Sequence, residues 1–304
     1  MKEINEKKLL ELQNDLPVID VRSPIEFAKG HIVGAKNIPL FTNEQRADVG
    51  TRYKKINREN ALVKGLEYFA TSAKKYLEKV YEITDNDEVV VYCWRGGSRS
   101  LAICKFLEAV NIKTYRLVGG YKQYRKFSQS YIEKIKELVV LSGYTGSGKT
   151  EKLIGLRKAG YQVINLEGLA NHFGSAFGSI NRGEQPSTEQ FQNKLFSKLF
   201  NLDLSKPIWV EDESRMIGKV HINESFYKAM RNSKVVRINI PDEDRLKRLV
   251  NLYSDTDKET LKEVFSRIKK RLGAVNYQNA ISMVDNSNYY GACKIALDYY
   301  DKAY

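Results

Sequence analysis

The sequence predicts two successive α/β domains, each built on a mostly parallel sheet with helices on both faces. Three observations carry this reading. Short β-rich apolar runs alternate with helically spaced segments twice along the chain. The 304 residues are enough for each half to bury its own core. A basic amphipathic stretch, YKQYRKFSQSYIEKIKE, stands between the two alternations and reads as a connecting helix. The expected division is therefore a first domain over 1–136, with the linker helix at its end, and a second over 137–304.

In chain order, LPVIDVR reads as a short buried strand, and ALVKGLEYFATSAKKYLEKVYEI carries apolar residues at helical spacing. EVVVYC is a second buried strand, SLAICKFLEAV a helix, and TYRLVGG a strand that closes in a glycine turn. The second block opens with the apolar run LVVLSG. YQVINLEG, PIWVEDE and KVVRINI are its further strands, with helices between and after them. There is no internal repeat and no low-complexity segment.

Hydrophobic residues make up 42% of the chain and charged residues 29%, a globular composition that excludes disordered and membrane classes. No stretch is apolar for long enough to span a bilayer, and MKEINEKKLLELQ lacks a signal-peptide core, so a soluble, cytoplasmic protein without a membrane partner is expected. Cys93, Cys104 and Cys293 are too few and too scattered for a disulfide framework or a zinc site, which fits a reducing compartment. The formal net charge of +13 suits a polyanionic partner such as nucleic acid, and suits equally a lysine-rich surface that keeps the protein soluble.

GYTGSGKT, Gly143 to Thr150, fits G-x-x-x-x-G-K-[ST] in full, with an apolar strand before it and the helical EKLIGLRKAG after it. Gly143, Gly146, Ser147 and Gly148 let the backbone wrap so that N–H groups and a helix N-terminus face a phosphate. Lys149 then reaches the outer phosphates and the Thr150 hydroxyl can ligate Mg²⁺. WVEDES supplies Glu211, Asp212 and Glu213 as acidic partners for a metal's water shell, Asp212 being favoured. Arg245, Arg248, Arg267 and Arg271 fall on helical segments, where arginines either clamp phosphates or are merely solvated. This block binds ATP, GTP or another pyrophosphate and need not hydrolyse it.

VVVYCWRGGSRSLAIC sets Cys93 directly after a buried strand, in a loop that leads into a helix N-terminus. Backbone N–H groups and the helix dipole stabilise an anion there, and Arg95 and Arg99 add positive charge, so Cys93 is a candidate nucleophile. Cys104, on the apolar side of the following helix, and Cys293, in the C-terminal helix, better suit inert thiols. The spacing from Cys93 to Arg99 and Ser100 also fits cysteine-dependent phosphatases. No aspartate stands out as the mobile general acid their chemistry needs.

DVRSPIEFAKGHIVGAKNIPL (Asp20 to Leu40) and YCWRGGSRS resemble the signature and active-site loop of rhodanese domains. In that fold a six-residue loop, as here, suits sulfur or selenium on the cysteine, whereas related phosphatases carry a longer one. A rhodanese domain followed by a P-loop NTPase-like domain is the architecture of the bacterial tRNA 2-selenouridine synthases. VGTRYKK, LVGGYKQYR, NLEGLANHFGSAFG, QPSTEQF, VEDESRMIG and KRLG also resemble that family's blocks. Phe173 and Thr188 depart from it, standing where arginine and glutamine are common. The resemblance implies a transferase that converts wobble 2-thiouridine in the anticodon stem-loop of tRNA into 2-selenouridine. Geranyl diphosphate first alkylates the sulfur, and selenophosphate, from its own source, then supplies selenium. It further implies that Lys149 and Thr150 grip the diphosphate and that Cys93 accepts selenium as a perselenide. Arg99 and the loop of Trp94, Gly96, Gly97 and Ser98 would hold that anion.

Lys122, Arg125 and Lys126 beside Tyr121 and Tyr124 then become candidates for tRNA contact, the tyrosines stacking on unpaired bases. The same residues also read as an ordinary amphipathic helix. His172 is a candidate for a polar pocket, His31 for fixing a turn, and His221 has no visible task. The alternatives are a sulfurtransferase fused to a small-molecule kinase and a module that senses nucleotide and oxidants.

Overall fold

The computed structural model describes residues 1–85, 87–175, 177–180 and 182–303. The chain divides into two compact units, Met1–Tyr131 and Ile132–Tyr304.

In the first unit the strands are β1 (Lys2–Ile4), β2 (Val18–Asp20), β3 (Lys36–Asn37), β4 (Glu88–Tyr92) and β5 (Lys113–Leu117). They pair in the order β1-β5-β4-β2-β3, every pair parallel. Val89 to Tyr92 in the sheet interior are fully buried, which is why this strand reads as an unbroken apolar run and not as an alternation. The helices are α1 (Glu6–Leu12), α2 (Pro24–Lys29), α3 (Asn43–Lys55), α4 (Arg58–Tyr81), α5 (Ser98–Ala109) and α6 (Gly120–Ile132). Thr42 and Gln45 form a capping box that starts α3. α6 stops at Ile132, short of the end of the basic stretch, because Ile132 and Ile135 are both buried and a turn joins them, Ile135 N–H donating to the Ile132 carbonyl.

A buried ion pair braces the strand end that faces the Cys93 loop. Asp20 accepts from Arg22 Nε and Nη2 at 3.0 and 2.7 Å, and Arg22 Nη2 also donates to the Gly30 carbonyl at 2.6 Å. Two charges this deep are tolerable because they meet each other and the Gly30 carbonyl takes a further guanidinium N–H. His31 stacks on Phe27 at 3.7 Å, and its Nδ1 lies 2.9 Å from the Phe27 carbonyl, so it fixes the turn after α2.

The second unit holds β6 (Leu138–Ser142), β7 (Gln162–Ile164), β8 (Ile208–Glu211) and β11 (Lys234–Arg237), in the order β11-β6-β8-β7 and all parallel. Between β8 and β11 lies an antiparallel hairpin, β9 (Met216–Ile217) and β10 (Val220–His221), turned by Gly218 at φ +59°. Because β8 and β11 flank β6 on opposite sides, the loop after β6 sits at a topological switch point, where parallel sheets hold ligands. That loop leads into α7 (Lys149–Lys158), followed by α8 (Leu166–Ala170), α9 (Thr188–Phe200) and α10 (Glu224–Arg231). After β11, helices α11 (Asp242–Tyr253), α12 (Lys258–Leu272), α13 (Ala274–Asp285) and α14 (Tyr289–Ala303) pack around their own apolar core, to which Phe177 and Ile180 also belong. Among the described residues, no helix is long and apolar enough to cross a membrane.

Candidate active sites

The first unit builds a loop around Cys93. The thiol is buried, 3% exposed, with Sγ 3.3 Å from the Ser100 hydroxyl, which in turn lies 3.2 Å from the Gly97 carbonyl. Trp94, Arg95, Gly97 and Ser98 are exposed on the loop and the first residue of α5, so the N–H groups of the turn and the helix N-terminus open to solvent. The loop is held from behind by the turn between β5 and α6. Tyr121 N–H donates to the Cys93 carbonyl and Lys122 N–H to the Trp94 carbonyl, both at 2.9 Å. Gly96 and Gly120 both have positive φ and touch back to back. A side chain at Gly120 would collide with the Cys93 carbonyl and come within 2.5 Å of the Gly96 nitrogen. The Arg116 guanidinium donates to the Gly96 carbonyl and pairs with Glu3, a support the sequence reading did not single out.

Arg99 requires a correction. Its guanidinium does not stand free over the loop: Nη1 and Nη2 donate to the two carboxylate oxygens of Glu26 at 2.8 and 3.3 Å. Burial alone would raise the Glu26 carboxyl, but the hydrogen bond and charge of Arg99, with the Ser23 N–H and Arg46, hold it below the usual range. Glu26 comes from α2, far away in sequence, so no local pattern announced it. The other thiols are as expected of inert groups, burial pushing Cys104 and Cys293 each up to about 11.

Tyr121 and Tyr124 are also corrected. Both are buried, at 0% and 1% exposure, with the Arg22 guanidinium 4.0 Å from the Tyr121 ring centroid. They pack the inner face of α6 and offer no surface to a base. Lys122 and Lys126 are exposed on the same helix, with Arg125 half-buried.

In the second unit, Gly143 to Gly148 wrap between β6 and α7, with Gly146 and Gly148 at φ +79° and +77°. Lys149 lies across this loop, Nζ donating to the Gly143 carbonyl at 2.9 Å. Thr150 Oγ1 donates to Glu167 Oε2 at 2.9 Å, while the buried Ser147 hydroxyl has no hydrogen-bond partner. Arg248 reaches the start of α7, pairing with Glu151 at 3.0 Å, so it stands beside the loop.

Glu211 and Glu213 lie close enough to feel the charge of Lys149, and Glu167, bonded to Thr150, lies beside them. Asp212, favoured from sequence, instead pairs with Arg231 at 2.5 Å. Alternation along the end of β8 explains this, because successive side chains point to opposite faces. Glu211 is fully buried, and one carboxylate oxygen accepts from Leu166 N–H at 2.8 Å while the other has no partner. Burial pushes its carboxyl up to about 8, assisted by the charge of Glu167 and opposed by the Leu166 N–H and Lys149. Burial and Glu167 likewise raise Glu213 well above the carboxylate range, with Lys149 opposing. Glu167, in α8, had been assigned no role from sequence.

Arg245 is not a free phosphate clamp. It is 2% exposed, donates to both oxygens of Asp301 at 2.9 and 2.5 Å and to Asp242 at 2.8 Å, and its Nε donates to the Thr145 carbonyl at 3.0 Å. It therefore ties α11 and α14 to the glycine-rich loop. Arg267 donates to the Ser179 hydroxyl at 3.1 Å, and Arg271 is exposed in the last turn of α12. His172 is buried with Nδ1 unpartnered, and burial, together with the charges of Arg267 and Arg182, lowers its pKa. Side chains at Gly178 or Gly218 would strike its ring, and one at Gly174 would strike the Glu213 carboxylate. The Phe173 ring carries the Arg182 guanidinium at 3.8 Å, and Thr188 Oγ1 accepts from His221 N–H at 3.3 Å.

Residues 136–304 match the family model of the tRNA 2-selenouridine synthase AAA domain, and residues 5–127 that of the rhodanese-like domain. The tRNA 2-selenouridine synthase of Nitrosomonas europaea is 39% identical over 252 residues, which cover 79% of this chain and 63% of that protein. That of Bdellovibrio bacteriovorus is 38% identical over 253 residues, covering 80% and 65%. That of Shewanella frigidimarina is 34% identical over 300 residues, covering 91% of this chain and 81% of that protein. The matched region thus spans 63% of the Nitrosomonas europaea relative's length.

Proposed function

The chain belongs to the tRNA 2-selenouridine synthase family, and from that premise we propose that it converts 2-thiouridine in tRNA to 2-selenouridine in two transfers. The observation that carries the proposal is the presence, in one chain, of an anion-stabilising thiol loop and a phosphate-binding loop. Each has the group its half-reaction needs.

In the first transfer the thiocarbonyl sulfur attacks C1 of geranyl diphosphate. The C1–O bond breaks, pyrophosphate leaves with the bonding electrons, and the base loses its N3 proton. The amides of Gly143 to Gly148 and the Lys149 ammonium, which lies across that loop, would take the charge that develops on pyrophosphate. Among the described residues, no group of three or more His, Cys, Asp or Glu side chains is set to hold a metal unaided. That is ordinary for Mg²⁺, which takes one or two protein oxygens and completes its shell with phosphates and water. The Thr150 hydroxyl, at the start of α7 beside Glu167, fits such an ion, which when bound would neutralise the leaving diphosphate.

In the second transfer the selenium of selenophosphate adds to C2 of the base, the C2–S bond breaks and geranyl thiolate departs. Water takes the phosphoryl group as the P–Se bond breaks, leaving 2-selenouridine, phosphate and geranyl thiol; an alkylated sulfur is a far better leaving group than a thiocarbonyl. Cys93 and its loop amides handle the selenium, with Ser100 within hydrogen-bonding distance of the thiol. Arg99 acts from one step back, by fixing α5 to Glu26.

The test is mass spectrometry of nucleosides from a 2-thiouridine anticodon stem-loop incubated with the protein and geranyl diphosphate, with and without selenophosphate. The expected result is a geranyl adduct that turns into selenouridine. Lys149→Ala should block the adduct, whereas Cys93→Ala should allow it and block its conversion. An unchanged RNA mass with folded protein would favour a kinase-linked sulfurtransferase. Loss of the adduct in Cys93→Ala would overturn the division of labour.

A further inference from the structure

Tyr121 and Tyr124 are withdrawn from the surface, but the pile of rings they belong to has an open end. The rings of Tyr92, Tyr121 and Tyr124 stack in series, with centroids 6.3 and 6.0 Å apart, and the Arg22 guanidinium lies 4.0 Å from the Tyr121 centroid. Trp94 leans on Tyr121 at 5.9 Å and 47°, and it is the member of the pile that reaches solvent, 37% exposed. We propose that the Trp94 indole is the stacking platform for the wobble base, holding its pyrimidine face against the Cys93 loop during the selenium transfer. The inference rests on the tRNA-modifying reading of the chain and adds the residue that grips the base.

Position points to a base. Consecutive Cα atoms stand about 3.8 Å apart, so the indole is next to the nucleophile, while the Cys93 side chain itself is buried. A ligand can therefore bring only an edge atom to the thiol and must find its purchase on the neighbouring residue. Charge points the same way. WRGGSR, Trp94 to Arg99, holds two arginines and no acid, and GYKQYRK at the start of α6 adds Lys122, Arg125 and Lys126, also with no acid. Lys122 is beside Trp94, its N–H donating to the Trp94 carbonyl at 2.9 Å, and Arg95, Lys122 and Lys126 are exposed. An aromatic face beside such cations suits a nucleotide, the phosphates meeting the charges and the base meeting the ring, whereas an apolar protein partner would have to strip those charges of water. The platform is also preorganised. Tyr121, buried behind the indole, donates its N–H to the Cys93 carbonyl at 2.9 Å, so the ring and the thiol loop share one support.

The experiment uses the full chain carrying Trp209→Phe, in which Trp94 is the remaining tryptophan. Its fluorescence is titrated with three anticodon stem-loops that share one sequence and differ at the wobble position: 2-thiouridine, its S-geranyl derivative, and an abasic site. Both base-bearing stem-loops should quench Trp94 and bind about tenfold more tightly than the abasic one, which keeps every phosphate. Trp94→Ala, read by anisotropy of labelled stem-loops, should lose that difference and leave abasic binding unchanged, and Trp94→Phe should keep most of it. Alkylation of Cys93 by iodoacetamide without RNA reports the shape of the loop; if Trp94→Ala alters its rate, the quenching in Trp209→Phe and the binding of Trp94→Phe decide the outcome. Equal quenching by the abasic stem-loop, or equal weakening of all three in Trp94→Ala, would overturn the stacking. So would quenching that requires the geranyl group, which would put the prenyl chain on the indole instead. A parent protein that makes selenouridine yet binds the abasic stem-loop as well as the others would overturn the platform and leave the proposed function standing. A parent that binds none of the three and leaves the RNA unmodified would overturn that function, and the platform with it.

Discussion

Glu211 gives a prediction whose size follows from its surroundings. Its carboxyl is raised from an ordinary value of 4.5 to about 8, burial being the main cause. Between those values the folded protein holds a proton that the unfolded chain has released. The folded state therefore loses ground as pH rises, by about 1.4 kcal/mol per pH unit at most, and the loss levels off above about 8. From pH 6 to pH 8 the loss from this one group is about 2 kcal/mol. Glu211→Gln is isosteric with the protonated acid, can still accept from Leu166 N–H, and has no proton to release. It should therefore remove that part of the pH dependence and be the more stable protein at pH 8. The assay is urea unfolding at both pH values in a Trp94→Phe background, so that Trp209, in β8 beside Glu211, is the remaining tryptophan and reports the second unit alone. Parallel stability profiles for variant and parent would refute the reasoning, because they would mean that Glu211 is ionised in the folded protein and met in full by Lys149.

Arg245→Ala should destabilise the second unit by about 3–5 kcal/mol in the same unfolding assay, since it strands the Asp301 carboxylate and frees the Thr145 carbonyl. Arg245→Lys should recover little, because one ammonium cannot replace a fork that binds both oxygens of Asp301. Gly120→Ala should cost about 3 kcal/mol in the first unit and slow alkylation of Cys93 by iodoacetamide, as the added methyl pushes against the Cys93 carbonyl at positive φ. Lys122→Glu and Arg125→Glu should each weaken binding of the stem-loop and lower the slope of log K against log salt by about one, read by fluorescence anisotropy across a salt series.

What the sequence made legible was local. VVVY and LVVLS stand out because their strands lie in the middle of parallel sheets and bury both faces. β1 did not, since in KEI only Ile4 is buried and the strand is held by backbone pairing to β5, which no side-chain pattern encodes. The hairpin of β9 and β10 has two residues per strand and α8 has five in all, too short for any period to declare itself. In the sites, Cys93 and Lys149 were legible because strand, turn and helix around each are contiguous. Glu26, Arg116 and Glu167 were not, because each arrives from a different element and carries out its task only after the sheet has formed.

The glycines explain why several separate sequence blocks behave as one structure. Gly96 in YCWRGGSRS needs the absence of a side chain because the Leu117 carbonyl and the Gly119 nitrogen of LVGGYKQYR stand against it, and Gly120 in the second block meets the backbone of the first in return. The same reciprocity joins NLEGLANHFGSAFG to VEDESRMIG: Gly174 of one lies against Glu213 of the other, and Gly218 of the second against His172 of the first. Each block is thus the mould of its neighbour, and neither active loop keeps its shape if only one partner changes. A side chain introduced at Gly96 or Gly120 meets backbone, one at Gly174 meets the buried Glu213 carboxylate, and one at Gly218 meets the Gln185 amide as well as the His172 ring. The Cys93 loop and the acidic wall near Lys149 are therefore set by contacts made before any ligand arrives, the preorganisation that stabilising a developing anion requires.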